Sequence, residues 1–202
     1  MTTTMPLSGT SKIGGIYLRG VEEIIGKQAA QCLPVQQRSG QRTPSVAAAE
    51  LVDVAALQQA LEAVYGTRGG RGLALRAGRA GFKFLLRQYG AGVGLSELNF
   101  RLLPMQARLK TGLEVLAGLM SQLGDEVVQT EVQETCWLWR VEQCPICWQR
   151  DAKEPICHFT VGLLQEFFAW GSGGKVYQVE ETACQANGDP ACLIRIDKRP
   201  LD

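Results

Sequence analysis

Apolar residues recur every three or four positions in five stretches of the chain, a spacing that places them on one face of a helix. This pattern predicts helices over residues 16–33, 46–66, 73–89, 105–123 and 156–171. The second helix is expected to break near Asp53, a residue type suited to cap its stronger part, and to end at Gly66. The basic, glycine-rich run of residues 68–72 predicts a flexible turn. Residues 1–15 are small and polar and predict a flexible arm, and residues 34–45 predict a polar linker.

Alternation of apolar and polar residues with a period of two predicts four strands after the fourth helix. Residues 126–133 and 135–142 form one predicted antiparallel pair. Residues 175–185 and 191–197 form a predicted hairpin around a turn at Gly188. The order ββαββ, preceded by helices, predicts an α+β fold with a four-stranded antiparallel sheet and the helices on one side.

The third predicted helix carries a basic stripe. Arg76, Arg79, Lys83 and Arg87 follow one another at helical spacing. A solvated surface is the ordinary explanation, and contact with an acidic ligand group or a partner subunit is the alternative. Gly78 lies inside the same helix at a cost of about 1 kcal/mol relative to alanine, which indicates close approach of another backbone or of a ligand.

Five of the seven cysteines lie between residues 144 and 192. If the predicted hairpin turns near Gly188, Cys184 and Cys192 face each other with Cβ atoms roughly 4.5–5.5 Å apart. Two thiolates at that separation can share one tetrahedral metal ion, with Cys157 at the start of the preceding helix and a glutamate completing four ligands. Packed free thiols and a cross-strand disulfide are the alternatives.

The glutamate in this set is either Glu180 or Glu181. In a regular strand Glu180 shares a face with Cys184, because side chains alternate between the two faces. A β-bulge before the turn would instead place Glu181 on that face.

The segment Cys144-Pro-Ile-Cys147 contains a separate thiol pair. A C-x-x-C pair can bind a metal or act as a redox couple. Cys136, Cys144 or Cys147 could approach the first cluster and form a second metal site or an iron–sulfur site. Two structural thiols in a loop are the simpler interpretation of Cys144 and Cys147.

Composition narrows the class of protein. The chain has 202 residues of which 46% are hydrophobic, enough for one domain core. Its formal net charge of +1 gives no argument for a nucleic-acid partner. No apolar run reaches the roughly 18–20 residues of a transmembrane helix. Seven cysteines without a visible secretory signal predict a reducing cytoplasm.

The spacing of the candidate ligands resembles that of a known family. Cys157, followed by Glu181-x-x-Cys184-x7-Cys192 with a Gly-Asp turn between the last two cysteines, is similar to the 4-vinyl-reductase (hydrocarbon-binding) domain. In the phenol-sensing members of that family three cysteines and one glutamate hold a structural zinc ion. The resemblance therefore selects Glu181 over Glu180 and implies the ligand set Cys157, Glu181, Cys184 and Cys192.

The resemblance also implies an overall organisation. It divides the chain into an N-terminal arm and helix, residues 1–45, and a ligand-binding domain, residues 46–202. It implies the fold shared with transport-particle (TRAPP) subunits, in which helices enclose an apolar channel, and a homodimer. Soft and aromatic side chains would line such a pocket. Those expected to do so are Phe82, Leu113, Leu116, Met120, Trp137, Trp139 and Phe167.

No catalytic constellation is visible, since the chain has one histidine, no nucleophile motif and no dinucleotide fingerprint. The resemblance thus implies a binding protein for a small hydrophobic molecule, such as an aromatic hydrocarbon, a lipid or a tetrapyrrole precursor. A chain of this length is similar to the accessory member of bacteriochlorophyll synthesis. The alternatives are a vinyl-reductase component that uses an external electron donor, and a scaffold or assembly protein.

Overall fold

The computed structural model describes residues 12–35, 53–124 and 126–201. Within these ranges the helices are α1 (Lys12–Ile25), α2 (Lys27–Gln31), α3 (Val54–Tyr89), α4 (Leu98–Leu102), α5 (Met105–Leu123) and α6 (His158–Ser172). The strands are β1 (Val127–Val132), β2 (Cys136–Glu142), β3 (Val179–Ala183) and β4 (Cys192–Asp197). A 3-10 turn, Gln185–Asn187, connects β3 to β4.

The four strands form one antiparallel sheet in the order β1-β2-β4-β3. Trp137 and Trp139 of β2 and Ile194 and Ile196 of β4 point to the same face of the sheet and are buried. Helix α5 packs near β1, and α6 packs near β3. The α+β class with a four-stranded antiparallel sheet, predicted from the two periods of the sequence, is confirmed.

Helix α3 differs from its prediction. Asp53 caps it as expected, because its Oδ1 accepts a hydrogen bond of 3.0 Å from the Ala56 amide. The helix then continues through residues 68–72, so the predicted turn there is wrong. The chain changes direction at Gly66, whose φ of 73° and ψ of 163° are not helical. After this kink Gly70 packs so closely on the Glu62 backbone that a Cβ atom would lie 2.6 Å from the Glu62 Cα.

The N-terminal region is more helical than predicted. Helix α1 begins at Lys12, so the last residues of the predicted arm are part of the core-forming helix. Gly26, with φ of 84°, separates α1 from α2 and interrupts the predicted helix over residues 16–33. The rest of the arm, most of the linker and residues 46–52 lie outside the described residues. Helix α1 packs along α3, while the domain boundary at residue 45 stays a prediction.

Helices α3 and α6 cross at two glycines. A Cβ atom on Gly78 of α3 would collide with the Phe159 carbonyl oxygen, and one on Gly162 of α6 would collide with the Leu75 carbonyl oxygen. The close approach predicted from Gly78 is therefore confirmed. This contact fixes the start of α6, where Cys157 lies, against the long helix.

Two smaller features differ from the prediction. Strand β3 starts at Val179, so the predicted strand over residues 175–185 is shorter at both ends. The short helix α4, which no periodicity of the sequence indicated, precedes α5. None of the helices in the described ranges has both the length and the apolar character needed to cross a membrane.

Candidate metal centre

Five cysteines converge where α6 meets the β3–β4 connection. Cys144 and Cys147 lie in the loop after β2, Cys157 precedes α6, Cys184 follows β3, and Cys192 begins β4. All five are at most 5% exposed. The structure thus brings the C-x-x-C pair of the sequence into the same cluster as the three cysteines of the predicted ligand set.

Cys147 lies closest to the other thiols. Its Sγ atom is 3.3 Å from Cys157 Sγ and 3.4 Å from both Cys184 Sγ and Cys192 Sγ. Cys157 Sγ is in turn 3.5 Å from Cys144 Sγ and 3.6 Å from Cys192 Sγ. A disulfide requires about 2.05 Å, and all five cysteines are free. Hydrogen bonds with Cys144 and the other neighbouring thiols lower the pKa of Cys147 and raise the pKa of Cys157.

Glu181 faces the cluster because of a β-bulge. Glu181 pairs with Ile194 and Ala183 pairs with Leu193, so Thr182 is an extra residue in β3. The bulge reverses the alternation, and Glu181 is 8% exposed whereas Glu180 is exposed.

The two carboxylate oxygens of Glu181 differ in their contacts. Oε2 accepts a hydrogen bond of 2.7 Å from the Cys157 amide. Oε1 is buried and has no hydrogen-bond partner. Burial raises the pKa of this carboxyl group. An ionised oxygen that is buried without a partner is costly, and a metal cation is one of the few groups that satisfies it.

The connection from β3 to β4 is held by its own polar groups. The Cys184 amide donates a 2.8 Å hydrogen bond to Asp189 Oδ2, and the Cys144 amide donates one of 2.8 Å to Gln185 Oε1. Gly188 adopts the left-handed conformation with φ of 91°, which favours glycine. The Gly-Asp turn of the sequence therefore orients Cys184 and, through Gln185, the loop that carries Cys144.

The donor set suits a thiolate-binding metal ion. The ligand atoms of Cys157, Glu181, Cys184 and Cys192 all lie within 4.8 Å of one another. A second set with the same property consists of Cys144, Cys147, Cys157 and Cys192. With zinc–sulfur bonds of about 2.3 Å, a tetrahedron has sulfur–sulfur edges of about 3.8 Å, close to the separations observed. The residues present therefore fit zinc, whose identity as the bound metal stays a prediction.

The predicted pocket residues share one hydrophobic core next to this cluster. All seven are at most 2% exposed, and they belong to α3, α5, α6 and β2. The rings of Phe82 and Phe167 make an edge-on contact with centroids 5.9 Å apart. The indole Nε1 of Trp139 is buried in this core without a hydrogen-bond partner. The residue pattern did not indicate this unpaired donor, because hydrogen-bond satisfaction depends on neighbours far away in the sequence.

The basic stripe of α3 lines a groove on the surface. Arg76, Arg79, Lys83 and Arg87 surround a volume of about 300 Å³. Glu166 of α6 pairs with Arg79 at 3.2 Å and with Lys83 at 3.5 Å. Exposed pairs of this kind contribute about 0–1 kcal/mol each. The stripe thus has an intramolecular anionic partner, and contact with a ligand or partner subunit stays a prediction.

Comparison with known proteins agrees with this description. Residues 137–198 match the family model of the 4-vinyl-reductase domain. No curated protein matches the sequence significantly.

Solved structures with the same fold include sensor domains. An H-NOX protein from S. oneidensis in the Fe(II)NO ligation state has a TM-score of 0.56 and 14% identity, covering 93% of this chain and 99% of that one. An H-NOX protein from K. algicida has a TM-score of 0.52 and 15% identity, covering 96% and 98%. The phenol-responsive sensory domain of the transcription activator PoxR with phenol has a TM-score of 0.50 and 20% identity, covering 89% and 88%. At these identities the likeness concerns the fold alone. The resemblance read from the cysteine and glutamate spacing is confirmed, and residues 137–198 of this chain, with β2, α6, β3 and β4, are a 4-vinyl-reductase domain.

Proposed function

We propose that this protein binds a small aromatic or otherwise hydrophobic molecule in its core, beside a structural zinc ion held by Cys157, Glu181, Cys184 and Cys192. The buried, unpaired Nε1 of Trp139 is the observation that carries the ligand proposal. The fold likeness to a phenol-responsive sensory domain adds support for a ligand of this size and chemistry.

The zinc ion would act as a structural cross-link. Its ligands come from the start of α6, the end of β3 and the start of β4, three places that are distant in sequence. Four protein ligands leave no open coordination position, so the ion would supply stability rather than Lewis-acid chemistry. The orphaned Oε1 of Glu181 and the three buried thiols are the features that suit such an ion.

The unpaired indole of Trp139 would select a ligand that carries a hydrogen-bond acceptor. A buried donor without a partner costs about 1–3 kcal/mol, a penalty that a phenolic or carbonyl oxygen would remove. Phe82, Phe167 and Met120 belong to the same apolar core. A ligand there would have to displace side chains, and methionine adapts most readily because it is unbranched and flexible.

The sheet connects the two parts of the proposed site. Trp139 of β2 pairs with Ile194 of β4, and Val141 of β2 pairs with Cys192 of β4. Trp139 and Cys192 are therefore on the same face, one inward position apart along neighbouring strands. Zinc at Cys192 would hold β4, and with it the wall that carries the core face of β2.

Calorimetric titration of the zinc-loaded protein with phenol and with toluene tests the proposal. Phenol is expected to bind saturably, and Trp139→Phe should weaken phenol binding by about tenfold or more while leaving toluene binding within about twofold. Phe84→Leu, on the surface groove, is the control and should change neither affinity. Absence of saturable binding of both compounds to a folded, zinc-loaded protein would overturn the proposed ligand class.

Three finer expectations remain predictions. The first is a homodimer without a nucleic-acid partner. The second is a cytoplasmic location, as expected for reduced thiols. The third is a role as carrier or accessory factor in (bacterio)chlorophyll synthesis, with a vinyl-reductase component and a scaffold protein as the alternatives. A co-purified tetrapyrrole, seen by absorbance and mass spectrometry, would support the third.

A further inference from the structure

The thiol cluster contains more donors than one tetrahedral ion can use. Five buried cysteines and Glu181 contribute six donor groups to a single cluster. One zinc ion takes four ligands in structural sites. The set proposed above leaves Cys144 and Cys147 within 3.3–3.5 Å of Cys157 Sγ but without a role.

The six donors divide into two tetrahedral sets that share an edge. Cys144 and Cys147 belong to one set only, Glu181 and Cys184 belong to the other set only, and Cys157 and Cys192 belong to both. The shared pair, Cys157 Sγ and Cys192 Sγ, is 3.6 Å apart. This separation is close to the edge of about 3.8 Å expected for two thiolates bound to one zinc ion. Two thiolates that each bridge two ions produce this arrangement.

We infer that Cys144 and Cys147 form a second metal position, so that the protein binds two zinc ions bridged by the thiolates of Cys157 and Cys192. The inference rests on the zinc ion of the proposed function, which would occupy the position that includes Glu181. Cys144 and Cys147 supply the two terminal ligands of the additional ion.

Charge favours two ions over one. Five thiolates and one carboxylate carry a formal charge of about −6, which one Zn²⁺ would reduce to about −4 and two would reduce to about −2. A buried site with a net charge of about −2 is that of an ordinary four-cysteine zinc site. Extra buried negative charge is costly in a low-dielectric interior, so the second cation removes a penalty that a single ion leaves.

Hydrogen-bond satisfaction points the same way. Cys147 Sγ is also 3.4 Å from Cys184 Sγ, so Cys147, Cys157, Cys184 and Cys192 make a competing set for a single ion. That set would leave Glu181 Oε1 buried without a partner and would leave Cys144 unused. The two-ion arrangement gives every one of the six donors a metal partner.

The loop that carries Cys144 and Cys147 is anchored rather than loosely placed. The Cys147 amide donates to the Cys144 carbonyl at 3.2 Å, and the Arg150 amide donates to the Cys147 carbonyl at 3.0 Å. The Arg150 side chain, 9% exposed, forms a 2.6 Å ion pair with Glu62 of α3. These contacts hold the pair against the cluster without requiring a metal to recruit it.

The first test is the metal stoichiometry of the full chain, purified without chelator and loaded with zinc. Native mass spectrometry and elemental analysis are expected to give two zinc ions per chain. Cys144→Ser and Cys147→Ser should each retain one ion, and Cys184→Ser should lose the ion of the other position. Cys136→Ser is the matched control, because Cys136 is buried but outside both sets and should leave both ions in place.

Bridging is tested by replacing zinc with ¹¹³Cd and recording NMR spectra of the wild-type protein. Two cadmium resonances are expected, both coupled to the β protons of Cys157 and Cys192. One ion per chain, or two ions without shared cysteine couplings, would overturn the inference and leave the proposed zinc site intact. No zinc at all, or iron with sulfide, would overturn both. The wild-type measurements remain decisive even if a cysteine variant fails to fold.

Discussion

The backbone amide of Cys157 donates a hydrogen bond to Glu181 Oε2 across 2.7 Å, joining the start of α6 to strand β3. The contact exists because Thr182 bulges out of β3 and turns Glu181 towards the cluster. One oxygen of the carboxylate thus orients the segment that carries Cys157, and the other is left for a cation.

Glu181→Gln is expected to lower zinc affinity while preserving the fold. The glutamine oxygen can still accept the Cys157 hydrogen bond, but a neutral amide is a poorer zinc ligand than a carboxylate. We expect a loss of at least about 10–100-fold, the effect of removing groups that merely orient metal ligands. Competition with a chromophoric chelator measures it.

Glu180→Gln is the matched control, since Glu180 is exposed on the opposite face of β3. Its zinc affinity should equal that of the wild type. Equal losses in the two variants would mean that general negative charge, rather than coordination by Glu181, attracts the metal.

The crossing of α3 and α6 predicts a steep dependence on glycine. Gly162→Ala would drive a Cβ atom into the Leu75 carbonyl, and both backbones would have to move apart. We expect a loss of about 3 kcal/mol or more, at the upper end of the range for overpacked cores. Urea unfolding measures the loss.

Gly118→Ala supplies the comparison within the same protein. Gly118 lies in α5 with nothing within 4 Å of an added Cβ atom, so alanine should stabilise the protein by about 0.5–1 kcal/mol. Equal effects of the two substitutions would show that helix propensity, and not backbone contact, governs Gly162.

Glu126 predicts a loss of stability with rising pH. Burial raises the pKa of this carboxyl group from 4.5 to about 8, and its Oε1 has no hydrogen-bond partner. The native protein keeps the proton that the unfolded chain releases, so the free energy of unfolding falls as pH rises from about 4.5 to about 8. The contribution is complete below that window and absent above it.

Glu126→Gln should remove this slope, because glutamine stays neutral throughout. Relative to the wild type, the variant should gain up to about 1.4 kcal/mol of stability for each pH unit within the window. Urea titrations of both proteins at several pH values measure the difference, in which contributions of the thiols cancel. Glu131→Gln, at an exposed position of β1, should leave the slope unchanged, and parallel curves for Glu126→Gln and the wild type would refute the prediction.

Much of the fold could be read from local patterns. The period of two in β2 and β4, the helical period in α5 and α6, and the order of these elements were sufficient for the α+β class. Short-range chemistry was equally readable, as the Asp53 cap shows, because a cap depends on groups within three residues.

The course of α3 shows where local patterns fail. Residues 68–72 contain three glycines, which argue for a turn, yet they are helical. The kink at Gly66 brings Gly70 against Glu62, and the later turns of the helix pack on α6 at Gly78. These tertiary contacts outweigh the helix penalty of about 1 kcal/mol for each glycine.

The candidate site divides in the same way. The spacing of Cys184, Cys192 and the intervening Gly-Asp turn by itself determined that two thiols meet at a hairpin, because a hairpin turn sets which residues face each other. Only the tertiary structure decided that Glu181 faces them and that Cys144 and Cys147 join them. The first depends on a one-residue bulge, and the second on an Arg150–Glu62 contact between segments 88 residues apart, which no local pattern encodes.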